Sequence, residues 1–173
     1  MDKKTVFLLD VDGVMTSGQF FYTEKGKVMK VFGPDDNDAL CLLTKYLDVR
    51  FVTGDRKGFP ISERRILHDM KFKLDLVSTV QRLGWIKKKF NLKEVIYMGD
   101  GIFDHYVMRE VGYSIAPNNA DENCKSCADF VTKRNGGDRA VAEACIHIME
   151  KFFEPFNPDE LPSSGNFSGE WQI

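Results

Sequence analysis

Short apolar runs rich in β-branched residues alternate with stretches of helical period along most of the chain. The runs Val6–Asp10, Val49–Thr53, Lys73–Val77, Val95–Gly99, Gly112–Ile115 and Phe130–Thr132 predict strands. Helical spacing predicts helices over Asn37–Tyr46, Pro60–Asp69, Gln81–Phe90, Phe103–Arg109, Ala120–Cys127 and Asp138–Phe153. The last of these repeats Val141, Ala144, Cys145, Ile148, Met149 and Phe152 on one face, the stripe of a helix packed on a core, with Asp138 as its expected N-cap. Trp85 and Phe90, also at helical spacing, read as core. Strands alternating with helices are the pattern of βαβ units, so the expected fold class is α/β, a parallel sheet with helices on both faces. One segment breaks the alternation. Gln19–Thr23 and Lys27–Phe32 flank Glu24-Lys25-Gly26, which predicts a β-hairpin inserted directly after the first strand.

Length and composition narrow this further. A chain of 173 residues suits one domain with a short appendage. The expected division is a domain over residues 1–153 and a C-terminal tail over residues 154–173, where Pro155, Pro158, Pro162, Ser163, Ser164, Gly165 and Gly169 collect. That tail is expected to be flexible unless its aromatics Phe156, Phe167 and Trp171 dock. The 24 Lys and Arg against 26 Asp and Glu leave no basic field for a phosphate backbone, so no nucleic-acid partner is expected. The N-terminal apolar run Thr5–Leu9 is ended by Asp10 and Asp12, too early for a signal segment or a membrane span. The expectation is a cytoplasmic protein without a membrane partner. Cys41, Cys124, Cys127 and Cys145 are too few and scattered for a disulfide framework, and Cys124-x-x-Cys127 lacks the second pair a zinc site needs.

The chemistry gathers at predicted strand ends. Phe7-Leu8-Leu9-Asp10-Val11-Asp12-Gly13 is an apolar strand ending in two carboxylates one residue apart, able to project to the same side where open α/β sheets bind ligands. Gly13 permits a sharp turn that brings backbone N–H groups close to an anion. A second strand ends in Gly99-Asp100-Gly101-Ile102-Phe103-Asp104, and a third in Thr53-Gly54, a hydroxyl and a free N–H suited to phosphate. Asp10, Asp12, Asp100 and Asp104 together would form the all-oxygen site that Mg²⁺ prefers. His68, His105 and His147 have no Ser or Cys partner in a nucleophile context and read as surface or packing residues.

These motifs, in this order, resemble the haloacid dehalogenase superfamily of phosphotransferases. Asp10-Val11-Asp12-Gly13-Val14 is similar to its nucleophile motif, Thr53-Gly54 to its second, Gly99-Asp100-x-x-x-Asp104 to its acidic fourth, and Ile115–Ala120 with Ala128–Thr132 to its closing segment. The Gly-Val-Met-Thr continuation after Asp12, the small inserted hairpin in place of a large cap, and Gly136-Gly137-Asp138-Arg139 before the last helix resemble the capless branch that hydrolyses octulosonate 8-phosphates and nonulosonate 9-phosphates. The resemblance implies a Rossmann-like core and a phosphomonoester hydrolase acting on a small phosphorylated sugar or sugar acid. It implies Asp10 as nucleophile forming an aspartyl-phosphate, Asp12 as acid then base, and Thr53 on a phosphoryl oxygen. It also implies Mg²⁺ on Asp10, the Asp12 carbonyl and Asp100, with Asp104 in support, and a homo-oligomer, a tetramer, in which hairpins pack together.

The sequence departs from the pattern where substrate would be gripped. The family's third motif carries a Lys, and here Val80-Gln81-Arg82-Leu83 stands in its place, so Arg82 is the expected replacement, with Lys87, Lys88 and Lys89 as the alternative. The branch's Thr-Gly-Arg is altered to Thr53-Gly54-Asp55-Arg56, and its Thr-Asp-Gly to Thr16-Ser17-Gly18. Gly13, Thr53, Gly54, Arg56 and Arg64 are the candidate substrate and phosphate contacts, although Arg64 and Arg65 can equally cover the surface. Two rivals stay open at this level: a subunit that kept the fold and lost turnover, and a phospho-receiver module, which would place its acidic residues on different strands.

Overall fold

A computed structural model describes residues 4–162 and Phe167. Eight strands and six α-helices follow in chain order: β1 (Val6–Asp10), β2 (Phe21–Thr23), β3 (Gly26–Met29), α1 (Asp35–Leu43), β4 (Asp48–Thr53), α2 (Phe59–Glu63), β5 (Lys73–Leu76), α3 (Arg82–Lys89), β6 (Val95–Met98), α4 (His105–Met108), β7 (Tyr113–Ala116), α5 (Glu122–Cys127), β8 (Phe130–Val131) and α6 (Ala140–Phe152). Six strands form one sheet in the order β5-β4-β1-β6-β7-β8, with every pairing parallel. The predicted α/β class is the observed one. β1 is buried at all five positions, because a central parallel strand is covered on both faces and so reads as a continuous apolar run. Phe7, Leu9, Phe51, Ile96 and Met98 face one apolar cluster, with α1 and α6. Leu8, Val52, Val95 and Tyr97 face the other, with Ile86, Val107 and Cys124.

The sheet order places the ligand crevice. The chain turns to opposite sides after β1, to β4 on one flank and β6 on the other, so the carboxyl end of β1 is the topological switch point. Registers Asp10↔Val52 and Leu9↔Met98 bring Asp10, Thr53 and the Gly99-Asp100 turn to one level there. Two glycines allow the chain to close behind this turn. Gly13 sits at φ +91°, and a Cβ on it would strike the Asp100 carboxylate; a Cβ on Gly136 would strike the Gly13 carbonyl.

Several expectations need correction. Asp138 is not the cap of α6. That position is Arg139, in a left-handed conformation at φ 65°, and the cap arrives from across the fold: the Ala142 N–H donates to Asp36 Oδ1 at 2.9 Å. The helix predicted over Pro60–Asp69 is α-helical only to Glu63 and widens to a π-helix over Arg64–Asp69, and the one predicted over Phe103–Arg109 is a single turn, His105–Met108. Trp85 and Phe90 are only partly buried, their rings edge to face at 5.9 Å. His147 packs rather than reacts, stacked on Phe130 at 3.8 Å and hydrogen-bonded to the Tyr113 hydroxyl. Of the C-terminal segment, Glu154 meets the Tyr46 hydroxyl at 2.9 Å and Phe167 packs partly buried on the core; the expectation for Trp171 lies outside the described residues.

Candidate active site

The crevice at the carboxyl ends of β1, β4 and β6 has a volume of about 370 Å³ and is lined by Asp10, Asp12, Gly54, Arg82, Asp100 and Asp104 among others. A larger hollow of about 550 Å³, along Thr44–Val49 and Lys71–Lys73, lies at the amino ends of the strands, away from every motif carboxylate. Size therefore does not pick out the site, and the chemistry does.

Asp10 is held from both sides. Its Oδ1 accepts from the Val11 N–H at 2.7 Å, and its Oδ2 accepts from Arg82 Nη1 at 2.7 Å, with Nη2 3.4 Å from Oδ1. The same Nη1 also reaches Asp104 Oδ1 at 2.9 Å and the Tyr97 hydroxyl at 2.8 Å, and the Tyr97 hydroxyl donates to Asp104 Oδ1 at 2.6 Å. Arg82, the first residue of α3, is fully buried. A planar, permanently charged fork suits this place: Nη1 meets two carboxylates and the phenol, while Nη2 reaches the second oxygen of Asp10. Burial by itself would lower the Arg82 pKa, but Tyr97, Asp10 and Asp104 outweigh it and hold the value well above its ordinary level.

One oxygen each of Asp10, Asp100 and Asp104 lies within 4.8 Å of the others. Burial pushes Asp10 up to about 6, although Arg82 opposes the rise. It pushes Asp100 up to about 8, with the charges of Asp10 and Asp104 adding to it. Asp104 is committed, its Oδ2 accepting from the N–H groups of Asp100 and Gly101 at 3.1 and 2.9 Å. Three crowded carboxylates with a single guanidinium lack positive charge, and a hard divalent cation with oxygen ligands fits that deficit. The expected fourth carboxylate is not in this group. Asp12 turns the other way, its Oδ2 accepting from Lys30 Nζ at 2.9 Å and from the Thr53 hydroxyl at 3.3 Å.

The structure treats the other expected contacts unequally. Thr53 is fully buried and its hydroxyl is used within the protein, donating to Asp12 and accepting from the Asp55 N–H at 3.1 Å. Gly54 lines the crevice, while Arg56 is exposed and lines the adjoining groove toward Trp85 and Lys88. Arg64 is not brought to the crevice; it is exposed and ion-paired with Asp69 at 3.1 Å. Lys87 and Lys89 pair on the surface with Glu110 and Asp75, and Lys88 is exposed. Sequence reasoning missed Lys30, Tyr97 and Ser62, and it marked Asp55 only as a departure from the family motif. Tyr97 had a faint signal, a phenol inside an apolar strand that needs a partner once buried.

With this geometry in place, comparison with known proteins is decisive at the level of family. The sequence pattern of the haloacid dehalogenase-like hydrolases matches residues 19–145.

The chain belongs to that family.

The 3-deoxy-D-manno-octulosonate 8-phosphate phosphatase of Yersinia pestis is 32% identical over 150 residues, covering 83% of this chain and 79% of the relative. The crystal structure of the Moraxella catarrhalis 3-deoxy-D-manno-octulosonate 8-phosphate phosphatase, in complex with magnesium ion, phosphate ion and KDO, superposes with TM-score 0.71 at 26% identity, covering 85% of this chain and 86% of that one. A probable phosphatase of the YrbI family from Pseudomonas syringae gives TM-score 0.78 at 26% identity, covering 86% of each chain. As a haloacid dehalogenase-like hydrolase with these relatives, the protein is a phosphatase. The family match begins after Asp10 and Asp12.

Proposed function

We propose that this haloacid dehalogenase-like phosphatase hydrolyses the phosphomonoester of a small phosphorylated sugar acid, of the 3-deoxy-octulosonate 8-phosphate kind, through an aspartyl-phosphate on Asp10. The observation that carries the reading is the division of labour between two carboxylates on one strand end. Asp10 is fixed by Arg82 beside Asp100 and Asp104, while Asp12, two residues on, is fixed by Lys30 and Thr53 on the opposite side. One is placed among the groups that handle phosphate charge, the other among groups that orient a proton carrier.

In the first step a carboxylate oxygen of Asp10 attacks phosphorus as the bond from phosphorus to the sugar oxygen breaks, and Asp12 gives a proton to the departing alkoxide. In the second, water attacks phosphorus and gives its proton to Asp12. The bond to Asp10 breaks, and free phosphate leaves with both carboxyl groups restored. Arg82 keeps Asp10 in one orientation throughout. Mg²⁺ is the cation we assign to the carboxylate cluster, held by Asp10, Asp100 and the Asp12 carbonyl with Asp104 in support; when bound it neutralises charge between nucleophile and phosphate. The sugar-acid class is supported by the curated relatives. Lys27, which lines the crevice, and the buried Lys30 are already paired with acidic groups, so a substrate carboxylate would turn to Arg56 or to a neighbouring copy.

The test is phosphate release from 3-deoxy-octulosonate 8-phosphate and from a panel of sugar phosphates, with wild type and Asp10→Asn. We expect the sugar-acid phosphate to be preferred and Asp10→Asn to fold normally while losing at least about 10³-fold in turnover, as loss of a nucleophile does. Substantial turnover by Asp10→Asn would remove Asp10 from that role.

A further inference from the structure

Lys30 is the residue directly after β3, where the hairpin returns to the core. Its side chain is fully buried, and its ammonium is surrounded by acceptors from three residues: the Asp12 carboxylate, with Oδ1 at 2.7 Å and Oδ2 at 2.9 Å, Asp55 Oδ2 at 2.9 Å and the Ser62 hydroxyl at 2.9 Å. A buried ammonium with all three N–H groups engaged and two carboxylates beside it has no bond left to offer a phosphate. Lys30 therefore acts on the protein's own groups. Its partner Asp55 is fixed in turn by Lys27 and by the Gly58 N–H, which donates to Oδ1 at 3.0 Å, so the clamp joins the hairpin to the β4–α2 connection.

The clamp grips both oxygens of Asp12. Oδ2 takes the hydrogen bonds of Lys30 and Thr53. Lys30 Nζ stands closer still to Oδ1, at 2.7 Å, and Oδ1 is buried. We propose that Lys30 is a positioning residue that, with Ser62 and Asp55, locks the Asp12 carboxylate in the orientation in which it carries the proton to the leaving group and takes it from water, making turnover depend on the seating of the hairpin. This rests on the phosphatase reading above, in which Asp12 is the acid and base.

The test separates a positioning role from a structural one through the leaving group. An alkoxide leaving from a sugar phosphate needs a proton, whereas 4-nitrophenolate leaves without one. In Lys30→Met, kcat/KM for a sugar phosphate is expected to fall by at least about tenfold, the low end of general-acid effects, while kcat/KM for 4-nitrophenyl phosphate falls far less. Rapid mixing with the aryl ester is expected to give a burst of nitrophenolate, because the second step still needs Asp12 as base. Ser62→Ala, which removes one acceptor and keeps both charges, should change the ratio in the same direction by less, and it carries the test if Lys30→Met does not fold. Equal losses on both esters, or a rise in KM alone, would overturn the proposal. A wild-type enzyme releasing phosphate from neither ester would instead overturn the reading beneath it.

Discussion

Among single residues, Arg82 connects stability to chemistry. Removing it leaves Asp10, Asp104 and the Tyr97 hydroxyl buried around a missing charge, so Arg82→Met is expected to cost about 3–5 kcal/mol in urea denaturation and to abolish phosphate release. Arg82→Lys keeps the charge but loses the fork, and should retain part of both. Lys88→Ala, on the exposed side of α3, should change neither by more than about 0.5 kcal/mol or a small rate factor. A Lys88→Ala loss equal to that of Arg82→Met would return the third-motif role to the lysine run. The raised Asp100 pKa makes a second prediction. At pH 6, below its value of about 8, the apo carboxyl holds a proton that a cation has to displace. Mg²⁺ affinity should therefore rise between pH 6 and pH 8 and then level off, with proton release on binding shrinking over the same range. Calorimetry in two buffers of different ionisation enthalpy measures both, and a pH-independent affinity would detach Asp100 from the cation.

Between elements, α6 is held by a cap from α1. Asp36 is buried and accepts from the third residue of α6, and burial pushes its pKa from 3.8 up to about 6. The sign follows from proton binding: between about pH 4 and 6 the folded protein holds a proton that the unfolded chain releases, so this group's contribution to stability declines as pH rises through that window. Asp36→Asn keeps an acceptor and removes the charge. It should flatten this part of the pH profile and gain about 1–3 kcal/mol at pH 7 relative to wild type, read from denaturation midpoints at pH 4.5 and 7. Asp36→Ala instead loses the cap and should cost about 1 kcal/mol at pH 4.5. An unchanged pH profile in Asp36→Asn would contradict the burial argument.

For the molecule as a whole, the hairpin is unfinished. β2 and β3 form a two-stranded sheet of their own, with Phe21 51%, Tyr22 60%, Val28 51%, Met29 50% and Val31 60% exposed. Two strands rarely stand alone in water, and apolar side chains this exposed call for a cover. We expect a homo-oligomer, the tetramer that the family resemblance implies, with hairpins of different copies burying these side chains. Phe21→Glu should lower the mass seen by light scattering and the turnover together. An unchanged mass would refute the assembly, and a monomer of full activity would separate assembly from catalysis. No helix among the described residues is long and apolar enough to cross a membrane.

Local pattern was enough to set the strand framework and to put Asp10, Asp12 and Asp100 at strand ends and Asp104 near the start of the next helix, because these depend on residue period and on turns that glycine permits. It reached Arg82 only by analogy of position, as the replacement for a family lysine, and did not reach its pairing with Asp10. Packing between elements settled the rest. Rotation about a helix moves each successive side chain by about 100°, so whether Arg82 or a later lysine faces Asp10 depends on how α3 seats on the sheet, and the same holds for Arg64, which ends on the surface. The cap of α6 comes from a residue 106 positions away, and no local pattern near Asp138 could encode it. Lys30 meets Asp12 across 18 residues only because the hairpin folds back over the crevice, and in the sequence it is one lysine in an apolar run. Backbone period is a local property and was legible; the pairing of buried charges is set by packing between distant elements, where no short-range signal exists.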